Sequence, residues 1–175
     1  MTHKNAFLLT GPPGCGKTTV IEKVLERVGR KAGGFFTREI RQGGVRKGFK
    51  IVTLDGEEAL LSHIDFRFPE KVGKYGVDVD TVDRVAVPAM EKAIEEADII
   101  VIDEIGKMEL FSHGFKNAVF DALGSEKIVL GTILYTKHLW ADEIKHLPGV
   151  EVIMVTPKNR KGIVDMLVEM IQELV

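Results

Sequence analysis

Short apolar runs alternate with amphipathic stretches along this chain. Asn5–Thr10 (NAFLLT) reads as a buried strand that leads directly into a glycine-rich turn. Beyond the turn, Ile21, Val24, Leu25 and Val28 follow the i, i+3, i+4, i+7 spacing of one helix face. Gly33–Arg41 and Val45–Leu54 are β-like and flank Gly43-Gly44, which predicts a hairpin. Turn residues interrupt the pattern from Asp55 to Asp83, and only a strand near Ala59–Ser62 is legible there. Pro88 sits where a helix can begin, since a first-turn proline gives up an N–H that has no partner anyway. Met90, Ala93, Ile94 and Ala97 supply the stripe of that helix. Ile99–Asp103 (IIVID) is a continuous β-branched run, as expected of a strand covered on both faces. Phe115, Ala118, Val119, Ala122 and Leu123 mark another helix, and Lys127–Leu134 and Val150–Thr156 read as strands around a short helix at His138–His146. Ile163, Leu167, Met170, Ile171 and Leu174 close the chain on one helical face. Strands and helices alternating at this spacing predict an α/β fold of three layers with a mostly parallel central sheet.

Length and composition narrow the picture. With 175 residues, 45% of them apolar, the chain has enough for one sizeable core, and residues 1–175 are expected to form a single domain. A formal net charge of −2 excludes a polyanion binder held by bulk charge, so any nucleic-acid contact would be local. Cys15 is the only cysteine, which rules out an internal disulfide and suits a reducing, cytoplasmic compartment. The start (Met1, Thr2, His3, Lys4, Asn5) leads into too few apolar residues for a signal-peptide core, and no run is long enough for a membrane span. Nothing in the pattern requires an oligomer.

The turn after the first strand carries the strongest chemistry. Gly11, Pro12, Pro13, Gly14, Cys15, Gly16, Lys17 and Thr18 fit G-x-x-x-x-G-K-S/T at every fixed position, between a predicted strand and a predicted helix. Glycines let successive backbone N–H groups turn inward around phosphates, and the helix beginning near Lys17 adds its positive end. Lys17 supplies a cation for the β- and γ-phosphates, Thr18 a hydroxyl for Mg²⁺, and Thr19 a further phosphate donor. Cys15 has two readings, a thiolate favoured beside a helix N-terminus or a small apolar core residue.

Asp103 and Glu104 end the second buried run. In a phosphate-loop fold an aspartate at such a strand tip holds Mg²⁺, and the neighbouring glutamate can take a proton from the attacking water. That glutamate favours hydrolysis over a kinase, which should avoid activating water. Asp103-Glu-Ile-Gly106 also spells D-x-x-G, but the N-K-x-D segment of a guanine-specific switch is absent, leaving Gly106 as a turn glycine able to approach the γ-phosphate. Arg38, Arg41, Arg46, Lys47 and Lys50 cluster on the predicted hairpin. They read as a solvated edge that resists aggregation, or as the source of an arginine that stabilises transition-state charge. Arg84 and Arg160 compete for the latter role. The five histidines show no ligand spacing.

Longer strings resemble one family. Gly34-Phe-Phe-Thr-Arg-Glu-Ile-Arg41, Gly44-Val-Arg-Lys-Gly-Phe49, Gly73-Lys-Tyr-Gly-Val77, Arg84-Val-Ala-Val-Pro-Ala89 and Asp103-Glu-Ile-Gly-Lys-Met-Glu-Leu-Phe111 are similar to the small nucleoside-triphosphatases first described in thermophiles, whose animal members are called cancer-related nucleoside triphosphatases. The resemblance extends to Asn159-Arg160 and covers nearly the whole chain. It implies a RecA-like phosphate-loop domain with an added β-hairpin. The implied activity is Mg²⁺-dependent hydrolysis of ATP, GTP and other nucleoside triphosphates with little base preference, with nucleotide contacts at Gly11–Thr18 and Ile99–Gly106 and Glu104 in the catalytic position. The alternatives are a small nucleotide or nucleoside kinase, and a nucleotide-gated module whose hairpin contacts RNA or a protein.

Overall fold

Strand alternation separates the core into two layers on either side of one sheet. The computed structural model describes residues 3–174, so Met1 and Thr2 of the predicted leaderless start lie outside the described residues. Five strands form a parallel half: β1 (Ala6–Thr10), β2 (Ala32–Gln42), β7 (Ile99–Ile105), β8 (Ile128–Ile133) and β9 (Val150–Met154). In β1, Ala6 and Leu8 face one layer while Phe7 and Leu9 face the other, and Ile100/Ile102 against Ile99/Val101 do the same in β7. Helices α1 (Lys17–Val28) and α6 (Arg160–Glu173) cover the second face. Helices α3 (Val87–Glu96), α4 (His113–Gly124) and α5 (Leu139–Lys145) cover the first. The three-layer α/β expectation holds.

The sheet is mixed, the parallel half being extended on one side by antiparallel strands. Beyond β2 it continues through β3 (Val45–Thr53), β4 (Glu58–His63), β6 (Tyr75–Val77) and β5 (Lys71–Val72), all paired antiparallel. The predicted hairpin is β2 with β3, of which β3 begins the four-strand extension, and the order across the sheet is β5-β6-β4-β3-β2-β7-β8-β1-β9. Strands of two and three residues carry no alternation to read, so β5 and β6 leave no mark on the pattern.

Helical backbone also begins earlier than Pro88. A short turn α2 (Val79–Thr81) runs through a π-helical segment at Val82–Ala86 into α3. Pro88 has no N–H for the Arg84 carbonyl and its ring crowds that group, which widens the preceding turn. Ser112 caps α4 by accepting from the Phe115 N–H at 2.9 Å.

The order of the parallel half positions the site. Strand β8 lies between β1, which feeds the phosphate loop, and β7, which carries the acidic pair. The β7–β8 register slips between Ile102 and Ile105, so Asp103 and Glu104 sit in an irregularity at the strand end.

Candidate functional site

Gly11, Gly14 and Gly16 have φ values of 149°, 78° and 98°, conformations that side-chain-bearing residues resist. The loop is also tightly packed. A Cβ on Gly11 would stand 2.8 Å from the Val155 carbonyl oxygen, and one on Gly16 would stand 2.9 Å from Nη1 of Arg160. Helix α1 starts at Lys17 and directs its first N–H groups toward the loop. Lys17 Nζ donates to the carbonyls of Gly11 (2.6 Å) and Pro12 (3.4 Å), folding over the hollow that phosphates would enter. Pro12, Pro13, Gly14 and Thr19 are exposed at the rim.

By period-two alternation Asp103 shares a face with Ile99 and Val101, the face covered by α1. There its Oδ2 accepts from Thr18 Oγ1 at 2.7 Å and its Oδ1 from Thr132 Oγ1 at 2.7 Å. The loop and the acidic strand, 85 positions apart in sequence, therefore meet through one carboxylate. Thr132 was not singled out in the sequence, because one threonine in a β-rich run reads as a strand former. Only its place on the intervening strand reveals a role. Burial pushes the Asp103 carboxyl above its ordinary range, opposed by the Thr18 and Thr132 hydroxyls and by the charges of Arg38 and Lys17.

Glu104 is partly exposed and opens onto a cavity of about 350 Å³ walled by Thr37, Arg46, Phe49, Tyr75, Lys107 and Glu109. Burial and the charge of Asp103 raise its carboxyl, while Lys17 opposes them. Gly106 is buried between carboxylates: a Cβ there would stand 2.6 Å from Glu104 Oε1 and 2.8 Å from Glu109 Oε2. Sequence reading placed no function on Glu109, although it lies within the family-like string Asp103–Phe111.

The arginines divide by surroundings. Arg160 lies over Gly16, and Arg38 is close enough to Asp103 to act on its titration. Arg46 lines the Glu104 cavity and donates to Tyr75 Oη at 2.9 Å. Arg84 is exposed and engaged with Asp80 at 2.6 Å. Along the hairpin, Arg38 pairs with Glu22, Arg41 and Arg46 with Glu39, and Lys50 with Glu58, so much of its positive charge is matched locally. A second cleft, of about 550 Å³, continues from the loop between α1 and α6, lined by Gly16, Thr19, Lys23, Arg27, Arg160 and Asp165.

Cys15 is 5% exposed, and its sulfur packs against Gly11 within the α1–α6 side of the core. Its second reading, as a small apolar residue, is the one the fold adopts. A thiol reagent should therefore modify the native protein slowly whether or not ATP is present, and rapidly in denaturant. Fast labelling that nucleotide suppresses, followed by intact mass, would contradict this burial.

No helix among the described residues is long and apolar enough to cross a membrane. Comparison with known proteins adds the following. The family model described as NTPase matches residues 6–168. A protein of Thermotoga sp. (strain RQ2) named nucleoside-triphosphatase THEP1 is 42% identical over 166 residues, 95% of each chain. The crystal structure of THEP1 from the hyperthermophile Aquifex aeolicus superposes with a TM-score of 0.87 at 38% identity, covering 95% of this chain and 99% of that one. The solution structure of a human cancer-related nucleoside triphosphatase gives a TM-score of 0.80 at 39% identity, over 97% and 98%.

Proposed function

The chain belongs to this nucleoside-triphosphatase family and hydrolyses nucleoside triphosphates, and we propose that it does so as a single domain, residues 1–175, with Glu104 as the general base. The observation that carries the reading is the Thr18–Asp103 contact, which joins the phosphate loop to the acidic strand beside Glu104. In this reading the backbone N–H groups of Gly14–Thr18, within the loop Gly11–Thr18, together with the exposed Thr19 and the Lys17 ammonium, bind the phosphates. Glu104 accepts a proton as the water oxygen bonds to the γ-phosphorus. The bond from that phosphorus to the β,γ-bridging oxygen breaks, releasing the diphosphate and phosphate. The absent side chain of buried Gly106 leaves room for the Glu104 carboxyl to lie over it.

Thr18 and Asp103 present a hydroxyl and a carboxylate to one point, an all-oxygen donor set that fits a hard divalent cation such as Mg²⁺. When bound, that ion would neutralise charge developing on the phosphates. Relatives named for hydrolysis and the presence of Glu104 support this reading over a kinase. The matched charges of the hairpin lend little to an RNA-binding module.

The nucleoside is assigned to the α1–α6 cleft, where Arg160 and aliphatic or charged side chains offer surface rather than a set of groups matched to one base edge. ATP and GTP should therefore differ in kcat/KM by less than about tenfold, roughly 1.4 kcal/mol of discrimination. Phosphate release from ATP, GTP, CTP and UTP, with and without EDTA, tests both points. Chelation should abolish turnover and added Mg²⁺ should restore it. A hundredfold base preference, or turnover that EDTA leaves intact, would overturn the corresponding part of the reading.

A further inference from the structure

Glu109 has no part in phosphate binding, yet its carboxyl is set against the catalytic strand. It lies in the 3-10 turn Glu109–Phe111 that follows β7 and is 2% exposed. Its Oε1 accepts from Thr37 Oγ1 of β2 at 3.2 Å. Its Oε2 and Glu104 Oε1 both reach over the α-carbon of Gly106, 2.8 Å and 2.6 Å from the place a side chain would occupy. The missing side chain at position 106 is what lets the two carboxyl groups approach. Two carboxyl groups converging on one spot beside a cavity are within reach of a common hydrogen-bonded contact, direct or through a water.

We propose that Glu109 is a positioning residue for Glu104, holding its carboxylate by a shared hydrogen bond, direct or through one water, so that the free oxygen meets the attacking water. This inference rests on Glu104 being the general base. Burial, and next the charge of Glu104, push the Glu109 carboxyl up to about 8, against the pull of its own backbone N–H and the Thr37 hydroxyl. Glu109 is thereby favoured in its protonated form at neutral pH, able to turn its O–H toward Glu104. A neutral donor orients the base without adding negative charge beside the γ-phosphate. The charged or titratable groups facing Glu109 are Glu104 from β7, Arg46 from β3, Tyr75 from β6 and Lys107 from the intervening turn, with Asp103 behind them.

The test is steady-state kinetics with Mg²⁺–ATP on the full chain from about pH 6 to about pH 9.5, for the wild type, Glu109→Gln, Glu109→Ala and Thr37→Val. In the wild type kcat should decline as pH rises through about 8, where Glu109 loses its proton. An amide donates at every pH. Glu109→Gln should accordingly keep kcat within about threefold of wild type at neutral pH and lose the alkaline decline. Glu109→Ala should lower kcat by about tenfold or more while KM stays within about twofold, because the phosphate loop is untouched. Thr37→Val should lower kcat by a few-fold in the same way. The proposal is overturned if Glu109→Gln is as damaging as Glu109→Ala, if Glu109→Ala retains full kcat, or if KM changes in step with kcat. Retained turnover in Glu104→Gln would instead remove the base assignment, and this inference with it, a failure read on Glu104 alone.

Discussion

Glu104→Gln should bind nucleotide as the wild type does and turn over about 10²–10⁴-fold more slowly, the contribution typical of a positioned general base. The amide nearly matches the carboxylate in size and still hydrogen-bonds water, but it cannot take the proton. Nothing in the phosphate loop depends on Glu104: Lys17 is held by the Gly11 and Pro12 carbonyls, and Thr18 by Asp103. The fold should also persist, since the residue is partly exposed and opens onto a cavity rather than filling the core. Removing its charge also relieves repulsion against Asp103 and Glu109, whose carboxyls it raises or crowds. ATP titration by calorimetry together with single-turnover phosphate release checks the two halves separately. Turnover above about a tenth of wild type would end the role of Glu104 as base.

Lys17→Ala acts on the other half of the reaction. Its ammonium is the side-chain cation placed over the loop, and charge-assisted hydrogen bonds are worth about 1.5–3 kcal/mol each. ATP affinity should accordingly fall by about ten- to a hundredfold or more, and kcat with it, since the same cation faces charge on the γ-phosphate in the transition state. The lysine also closes the loop on itself through Gly11 and Pro12, so the alanine variant loses a brace as well as a charge. Thermal unfolding should change little, because the side chain is only partly buried and the glycine conformations around it are set by the backbone. Calorimetry showing unchanged ATP affinity would refute the assignment. The two substitutions therefore separate binding from chemistry, Lys17→Ala acting on both and Glu104→Gln on chemistry alone.

Local signals carried much of this protein. A strand, a glycine-rich turn and an amphipathic helix in direct succession define the phosphate loop, because its chemistry needs consecutive backbone N–H groups and nothing distant. Ile99–Asp103 announces a strand covered on both faces, since β-branched residues at both parities suit one environment above and below. The same period-two rule places Asp103 on the α1 face once the strand is known. Hairpin, helices and parallel half were legible for the same reason: their periodicity lies within one element.

What lay between elements was not legible. Asp103 meets Thr18 and Thr132 only because β8 inserts between β1 and β7, an order that no local pattern specifies. Of the antiparallel extension only the hairpin strand and the strand near Ala59–Ser62 were legible, because β5 and β6 are too short to show a period and are held by their neighbours. Cys15 could have been a reactive thiol or a core residue, and the closure of α1 and α6 over the loop decided for the core. The hairpin cations stood as an unassigned cluster until the fold paired Arg38 with Glu22 and Lys50 with Glu58, and Arg41 and Arg46 with Glu39 of the hairpin itself. Glu109 became visible only when the turn after β7 carried it back over Gly106 to Glu104 and against Thr37. Sequence by itself determined which groups can do chemistry, because backbone geometry and side-chain type are local properties. The tertiary structure decided which of those groups meet and how they are charged, because contact and desolvation depend on chain segments far apart in sequence.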